Sequence, residues 1–215
     1  MKTLKIDIVS DIACPWCAIG YARLEKAMQA LSSELQFDIE WHAFELDPNP
    51  SSPQLPILTA LSQKYGKTEE EMRQSQQHLI SLATGLGINF SAMQQRKTSN
   101  TFNAHRLVKW AATQGKATAM KKALFNACFG EAADMSATDV LSRCAEAAGL
   151  NGEEAATILA SEQFVNAVRE DEAQYQQAGI SSVPAFIINQ RYLISGAQEP
   201  ESFINALQQI AAETA

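Results

Sequence analysis

Two cysteines, Cys14 and Cys17, stand two residues apart between an apolar segment and an amphipathic one. Residues 4–9 alternate apolar side chains, which predicts a buried strand, and apolar residues after Pro15 recur at helical spacing to about Leu31. One helical turn brings such sulfurs within bonding range and places the first at the helix N-terminus. Because that end carries partial positive charge and free N–H groups, the pattern predicts a thiolate on Cys14 and thiol–disulfide chemistry.

A second strand is predicted where Phe37, Ile39 and Trp41 alternate with polar side chains. With the first strand and its helix, this segment makes a β-α-β unit, whose strands pair in parallel through a right-handed crossover. Four prolines then interrupt regular structure: Pro48, Pro50, Pro53 and Pro56.

Almost every segment of residues 55–178 has a helical pattern, and Thr68 with Glu71 forms a capping box that starts one of the helices. Other helices are predicted over residues 102–113, 116–129, 137–148, 153–160 and 161–178. Strand patterns return at residues 185–188 and 191–194, joined by a two-residue turn that predicts a hairpin. A last helix is predicted to begin at Pro200.

Without the helical block, the order is β-α-β followed by β-β-α, an α/β arrangement with the cysteine pair at the first strand-to-helix turn. This order resembles the thioredoxin fold, and a large all-helical insertion between the two halves resembles the DsbA family. The likeness rests on Cys14-Pro15-Trp16-Cys17, on Ser182-Val183-Pro184 and on Asn-Thr-Phe-Asn-Ala-His-Arg-Leu at residues 100–107. It implies a thioredoxin-like domain of residues 1–54 and 179–215 and a helical insertion domain of residues 55–178.

Residues 100–107, together with residues 41–48, are similar to the FrnE-like branch of that family. This branch holds cytoplasmic relatives allied to 2-hydroxychromene-2-carboxylate isomerases and kappa-class glutathione transferases. Those isomerases and transferases use a serine where this chain has Cys14. Because a cysteine pair cycles between dithiol and disulfide, the resemblance implies a thiol–disulfide oxidoreductase acting on a protein or small molecule that contains a disulfide or a dithiol. Glutathione is a candidate co-substrate.

In this interpretation Cys14 attacks a disulfide, and the less exposed Cys17 resolves the mixed disulfide that results. Pro15 and Trp16 lie between them, where they contact substrate and tune the pair. Since neither residue supplies a cation to stabilise the thiolate, the sequence predicts a less oxidising pair than one with histidine in this place. No bound cofactor is expected beyond the redox-active cysteines.

The resemblance also implies a cis peptide bond at Val183–Pro184, packed against Cys14, with the Val183 backbone free to pair with a substrate strand. Without the resemblance, Pro184 is simply a proline that begins a strand. Asn100 and His105 would face the active-site cleft, where an imidazole would stabilise the thiolate or relay a proton. Solvated residues on a helix surface are an equally good interpretation of these two.

The acidic residues near the cysteine pair are not interpreted as catalytic. Asp11 is interpreted as a loop or cap residue, whose carboxylate would oppose ionisation of Cys14 if it approached the sulfur. The thioredoxin fold often carries a buried acid beneath its thiols, at a point that corresponds to Ile8. Asp7 is one residue away and should face the other side of the strand, so proton transfer from Cys17 needs water or another group.

Several classes of function are excluded or disfavoured. A net charge of -7 without a basic run argues against nucleic-acid binding. No segment is long and apolar enough for a membrane span, and charges at Lys5 and Asp7 argue against a signal peptide, so a cytoplasmic protein is expected. No metal site is expected, because the three histidines are scattered and the four cysteines include one close pair. Cys128 and Cys144 are interpreted as buried structural thiols.

Two other functions stay open. A glutathione-dependent isomerase or transferase acting on a small aromatic substrate would form product without Cys17. A non-catalytic peptide-binding or chaperone-like protein would use the cleft around Val183, and its binding would survive loss of both thiols.

Overall fold

A four-stranded mixed sheet lies at the centre of the computed structural model, which describes residues 1–213. Its strands, in the order β2-β1-β3-β4, are β1 (Lys2–Ser10), β2 (Leu35–Ala43), β3 (Ala185–Ile188) and β4 (Tyr192–Ser195). Strand β1 pairs in parallel with β2 and antiparallel with β3, which pairs antiparallel with β4. The helix α1 (Pro15–Ala30) connects β1 to β2, so the predicted β-α-β unit is confirmed.

The predicted helical block lies between β2 and β3. In the part of the chain that the structure describes, its α-helices are α2 (Ile57–Tyr65), α3 (Glu69–Leu86), α4 (Phe102–Ala112), α5 (Ala117–Phe125), α6 (Thr138–Ala147), α7 (Gly152–Leu159) and α8 (Val165–Gln177). The last helix, α9 (Pro200–Glu213), follows β4. The α/β order with a helical insertion is therefore confirmed, whereas the domain boundaries after residue 54 and before residue 179 stay a prediction.

Two helices differ from their predicted bounds. The helix predicted over residues 116–129 is α-helical only to Phe125 and continues as a π-helical turn over Asn126–Gly130. This turn buries Ala127, Cys128 and Phe129. The helix predicted from residue 161 begins at Val165, because Phe164 has a left-handed φ of 61°.

Alternation along β1 directs its side chains into two apolar layers. Ile8 belongs to the large core, which also contains Phe203 of α9 and Leu107 of the helical block. Val9 packs instead with Tyr175 of α8 on the opposite face. The large core therefore runs from the sheet into the insertion, and β1 ends where these layers meet the cysteine loop.

A close approach at Gly20 fixes the distance between α1 and the loop before β3. A Cβ atom on Gly20 would lie 3.0 Å from Cγ of Pro184 and 3.2 Å from the ring of Phe186. Any side chain at this position would push the loop away from α1. Glycine thus allows Pro184 to lie against the helix that carries both cysteines.

Candidate active site

Cys14 and Cys17 occupy the first turn of α1. Cys14 is the N-cap residue, and Pro15 takes the first helical position, where its missing N–H costs no hydrogen bond. Both thiols are free, and the exposed fractions of Cys14 and Cys17 are 5% and 1%. The Cys17 N–H donates to the Cys14 carbonyl oxygen at 3.1 Å, and the Cys17 thiol and the Trp16 N–H lie close enough to the Cys14 sulfur to stabilise its thiolate.

These contacts divide the two thiols into a nucleophile and a resolving group. The hydrogen bond from the Cys17 thiol lowers the pKa of Cys14, and this effect outweighs burial and the negative charge of Asp11. Burial raises the pKa of Cys17 well above its ordinary value, and the neighbouring Cys14 raises it further. Because the thiolate is the nucleophilic form, the pair favours attack by Cys14 while Cys17 keeps its proton.

The loop before β3 borders the Cys14 sulfur. Its Val183–Pro184 peptide bond is cis, and Cys14 Sγ lies 3.8 Å from the carbonyl oxygen of Val183. Pro184 is buried, whereas Val183 is partly exposed and residues 181–182 are exposed. The backbone beside the thiol is therefore accessible from solvent on one side.

Asp11 is a buried anchor for the cysteine loop. Its carboxylate accepts hydrogen bonds from the N–H groups of Ala13, at 3.2 Å, and Leu46, at 2.8 Å. Burial raises the pKa of Asp11, but hydrogen bonds with His105 and Leu46 bring that pKa below its ordinary value. Asp11 therefore stays ionised and ties the loop to the segment after β2, while its charge opposes the thiolate on Cys14.

His105 lies behind Asp11 and does not line the cavity at Cys14. Its Nε2 lies 3.1 Å from the carbonyl oxygen of Phe44 and 3.5 Å from Asp11 Oδ1, so Nε2 carries the hydrogen. Burial lowers the pKa of His105, which makes the ring neutral at pH 7. A neutral ring supplies no positive charge to Cys14, so His105 acts on the Asp11 carboxylate.

The other residues singled out in the insertion divide between the cavity and the scaffold. Asn100 lines the cavity, donates to Glu45 at 2.9 Å and accepts the Phe102 N–H at the start of α4. Arg106 is buried, and its guanidinium donates to the carbonyl oxygens of Ile158 at the end of α7 and of Ser161 and Gln163 beyond it. Of the residues between the cysteines, Pro15 and Trp16 both line the cavity, and Trp16 is exposed at its rim.

An Asp11→Asn variant should have a lower pKa at Cys14, because it removes a negative charge that raises that pKa. Its folded state should also be less stable at neutral pH, since an NH2 group replaces one of the two carboxylate oxygens that accept hydrogen bonds. The pKa of Asp11 is depressed by folding, so this loss of stability is complete above about pH 4 and disappears as the pH falls through the folded-state pKa. Iodoacetamide alkylation of Cys14 against pH, and urea unfolding at several pH values, measure the two effects.

Asp47→Asn is the matched control, because Asp47 lines the same cavity but is exposed. It should leave both readouts close to those of the wild type. An unchanged or raised pKa of Cys14 in Asp11→Asn would contradict the electrostatic role assigned to Asp11.

Lys121 of α5 is a buried cation beside the cysteine pair, and the sequence patterns did not identify it. It is fully buried, and its Nζ lies 3.4 Å from the carbonyl oxygen of Ser10 and 5.3 Å from the ring centre of Trp41. No carboxylate within residues 1–213 forms a salt bridge with it. Burial lowers the pKa of Lys121 to about 8, while the negative charges of Asp11 and of the Cys14 thiolate oppose this shift. At pH 7 the thiols therefore face a protonated amine.

A sequence signal for Lys121 exists. Three of the four positions one helical turn away from it are apolar, namely Ala117, Leu124 and Phe125, with Thr118 as the exception, and Cys128 beyond them is apolar too. A lysine within such a stripe is placed against the core, where it needs a partner or a function.

The remaining cysteines lie apart from this chemistry. Cys128 and Cys144 are both buried, and burial raises the pKa of Cys128 to about 11 and of Cys144 to about 12. Both thiols therefore keep their protons near neutral pH, which agrees with their interpretation as structural residues.

A second group of polar side chains lies on the face of β1 opposite Ile8. Asp7, Glu40 and His42 bring one potential metal-ligand atom each within 4.8 Å of one another. Lys5 contacts Asp7 at 3.3 Å and Glu40 at 2.8 Å, and His42 also contacts Asp171 at 3.0 Å. A lysine thus already supplies the positive charge at this cluster.

None of the helices within residues 1–213 has both the length and the apolar character needed to cross a bilayer.

The chain is similar to known proteins in sequence, in structure or in both. A probable DsbA oxidoreductase of Streptomyces coelicolor, SCO1869, is 33% identical, with a TM-score of 0.88 over 98% of this chain and 91% of that one. YwbO, an uncharacterized protein of Bacillus subtilis strain 168, is 30% identical over 95% of this chain and 96% of its own length. The cytosolic disulfide reductase DsbM of Pseudomonas aeruginosa, solved with GSH, has a TM-score of 0.67 at 16% identity, over 97% and 99% of the two chains.

The DsbM comparison shows a shared fold alone, whereas the first two also show relatedness of sequence. The family comparison covers nearly the entire chain, since residues 5–208 match the DSBA-like thioredoxin domain. The cysteine pair at the start of α1 and the loop with Pro184 both lie within that match. The chain belongs to the family of DSBA-like thioredoxin domains.

Proposed function

We propose that this DsbA-like protein is a thiol–disulfide oxidoreductase in which Cys14 attacks and Cys17 resolves. One observation carries the proposal: the two thiols share one helical turn, yet the pKa of Cys14 is lowered and that of Cys17 is raised. A pair with opposite shifts holds one reactive thiolate and one protonated thiol in reserve.

The reaction has two exchanges. The Cys14 thiolate attacks one sulfur of the substrate disulfide, whose S–S bond breaks, and the other substrate sulfur leaves as a thiolate. Cys17 then loses its proton and attacks Cys14, which releases the second substrate thiolate and leaves a Cys14–Cys17 disulfide. The substrate gains two electrons and the pair loses two. Oxidation of a substrate dithiol follows the same steps in reverse.

The second exchange needs a thiolate on Cys17, although burial holds the proton there. Lys121 favours this thiolate, because its buried positive charge lowers the pKa of Cys17. A lysine of the insertion, rather than an acid on β1, is thus proposed to stabilise the Cys17 thiolate, while the proton of Cys17 passes to water.

Substrate is proposed to approach along the exposed side of Val183, whose carbonyl oxygen lies beside the Cys14 sulfur. A backbone hydrogen bond there would align the substrate sulfur with Cys14, and Trp16 at the rim would contact its side chains. The structure of DsbM with GSH supports glutathione as a co-substrate, and the description of DsbM as cytosolic supports a cytoplasmic location for this protein.

A glutathione-dependent isomerase or transferase is the second candidate, because the cavity beside Cys14 has room for a small molecule. Product formation that needs glutathione and persists in Cys17→Ser would favour it. A peptide-binding function without catalysis would instead survive the loss of both cysteines.

The proposal is tested with a Cys17→Ser variant. After reaction with glutathione disulfide or oxidised insulin, it should hold the substrate as a stable mixed disulfide on Cys14, because no second thiol releases it. Intact-protein mass spectrometry should show one adduct per chain in this variant and little in the wild type. Cys128→Ser is the control and should behave as the wild type. An adduct-free Cys17→Ser protein would refute the assigned roles.

A further inference from the structure

The cavity at Cys14 is larger than the approach to Val183 requires. It extends from the cysteine loop to α2 and α3, and its volume is about 900 Å³. Small-molecule sites have volumes of about 300–1,000 Å³, so the space suits a compact ligand beside the reactive sulfur. Much of its wall is apolar and comes from Ile57, Leu61, Met72, Leu79 and Met93.

Two side chains in this apolar wall have buried polar atoms without hydrogen-bond partners. Gln76 of α3 is 1% exposed, and neither atom of its amide has a hydrogen-bond partner. Arg96 is 6% exposed, its Nε has no partner, and its Nη2 makes one long hydrogen bond of 3.5 Å to the Ala13 carbonyl oxygen. Its guanidinium lies over Phe129, 5.1 Å from the ring centre, and no carboxylate of the described residues pairs with it.

Buried donors without acceptors are costly, and nearly all such groups in folded proteins are paired. A guanidinium and an amide lining one cavity match the oxygens of a carboxylate, which accepts several hydrogen bonds. The unpaired groups therefore point to a ligand that supplies those oxygens.

The charges around the cavity favour the same class of ligand. Lys64 and Lys67 stand at its rim, in a chain whose net charge is -7. Of the acids that line it, Asp11 is already used by the N–H groups of Ala13 and Leu46, and Asp47 accepts the N–H of Asn49. Positive charge at the rim and inside attracts an anion.

We propose that this cavity binds a small disulfide, or the corresponding thiol, that has an apolar body of about the size of one ring and a carboxylate. The carboxylate contacts Arg96 and Gln76, the body lies against Met72 and Leu79, and the sulfur reaches Cys14. This inference rests on the proposed exchange chemistry and names a substrate class for it. Glutathione differs from this class because it has no apolar body for the cavity wall to contact.

The cysteine pair itself supplies the two electrons that reduce the small disulfide. The Cys14 thiolate attacks the small disulfide and releases one thiolate, and Cys17 then displaces the second. One disulfide is reduced to two thiols while the pair is oxidised. The first exchange is the step that the cavity controls.

The first experiment measures this step with two probes, 5,5'-dithiobis(2-nitrobenzoate), which carries carboxylates, and 4,4'-dithiodipyridine, which is neutral. In Arg96→Gln and in Gln76→Leu, reaction of the carboxylated probe with Cys14 should slow about 10- to 100-fold. The neutral probe should react within about twofold of the wild-type rate, because charge-assisted contacts are irrelevant to it. High salt in both assays screens general attraction by the rim lysines.

Controls separate binding from folding. Arg73→Gln and Gln74→Leu change exposed residues of α3 and should slow neither probe. Arg96→Lys keeps the positive charge and should recover part of the preference for the carboxylated probe, and thermal unfolding reports whether each variant is folded. Equal slowing of both probes, or no slowing of either, would overturn the proposal.

The second experiment does not depend on thiol chemistry. Calorimetric titration of Cys14→Ser with 3-phenylpropionate should show saturable binding that is lost in the double variant Cys14→Ser/Arg96→Gln, while the neutral 3-phenylpropanamide should bind weakly. If the carboxylate binds but the wild type shows no disulfide turnover, the proposed function fails and the site stands. If neither compound binds, or both bind equally well, the site fails whatever the turnover.

Discussion

A Cys14→Ser variant is expected to lose thiol–disulfide turnover by at least about a thousandfold. Serine keeps the size of the side chain but forms no disulfide. Its hydroxyl also stays protonated at pH values where Cys14, whose pKa is lowered by the Cys17 thiol, forms a thiolate. Reduction of insulin disulfides with glutathione as the electron donor, and oxidation of a dithiol peptide, are the two measurements. Both should fail together, because both directions pass through a mixed disulfide on Cys14.

Cys144→Ser is the matched control, since Cys144 is also buried but burial raises its pKa to about 12. It should keep full turnover. The same Cys14→Ser protein separates the candidate functions, because it places a serine where the isomerase and transferase relatives carry one. Retained insulin reduction would contradict the mechanism, and glutathione-dependent conversion of a small aromatic substrate would favour the second candidate.

The parts of this site that could be predicted from sequence are those set by local patterns. The strand, the cysteine pair and the helix follow one another directly, so their geometry needs only the pitch of α1 and the alternation of β1. The hairpin is similar: Asn189 and Gln190 both have positive φ, of 51° and 55°, as a two-residue hairpin turn requires. Pro184 is far from Cys14 in sequence, and its place came from the family resemblance.

The groups that were missed depend on contacts between distant segments. Lys121 comes from α5 and reaches the thiols only because the insertion folds back over the end of β1, where Nζ meets the Ser10 carbonyl oxygen. His105 was predicted either at the cleft or on a solvated helix surface, but it is buried, and the carbonyl oxygen of Phe44 and the carboxylate of Asp11 hold it one layer behind the cleft. Helical periodicity predicts which face of a helix is buried. It does not predict which side chains of distant segments pack against that face.

Lys121→Met is expected to slow the second exchange by about 10- to 100-fold, since loss of a buried positive charge should raise the pKa of Cys17 further. Attack by Cys14 should change less, because hydrogen bonds from the Cys17 thiol and from backbone N–H groups also lower its pKa. Rapid-quench mass spectrometry should therefore show accumulation of the mixed disulfide in the variant. The rate of its decay should also reach its plateau at a higher pH than in the wild type.

Stability distinguishes this electrostatic role from a structural one. The pKa of Lys121 is about 8 in the folded protein, below the ordinary 10.5, so the folded wild type binds fewer protons than the unfolded chain between those values. Its free energy of unfolding should rise with pH across that window through this residue, and the rise should be absent in Lys121→Met, which should be at least as stable as the wild type at pH 7. The neighbouring Lys122 is exposed and pairs with Glu25, so Lys122→Met is the control for both assays. A variant that is less stable at pH 7 yet resolves the mixed disulfide at the wild-type rate would show that Lys121 serves packing alone.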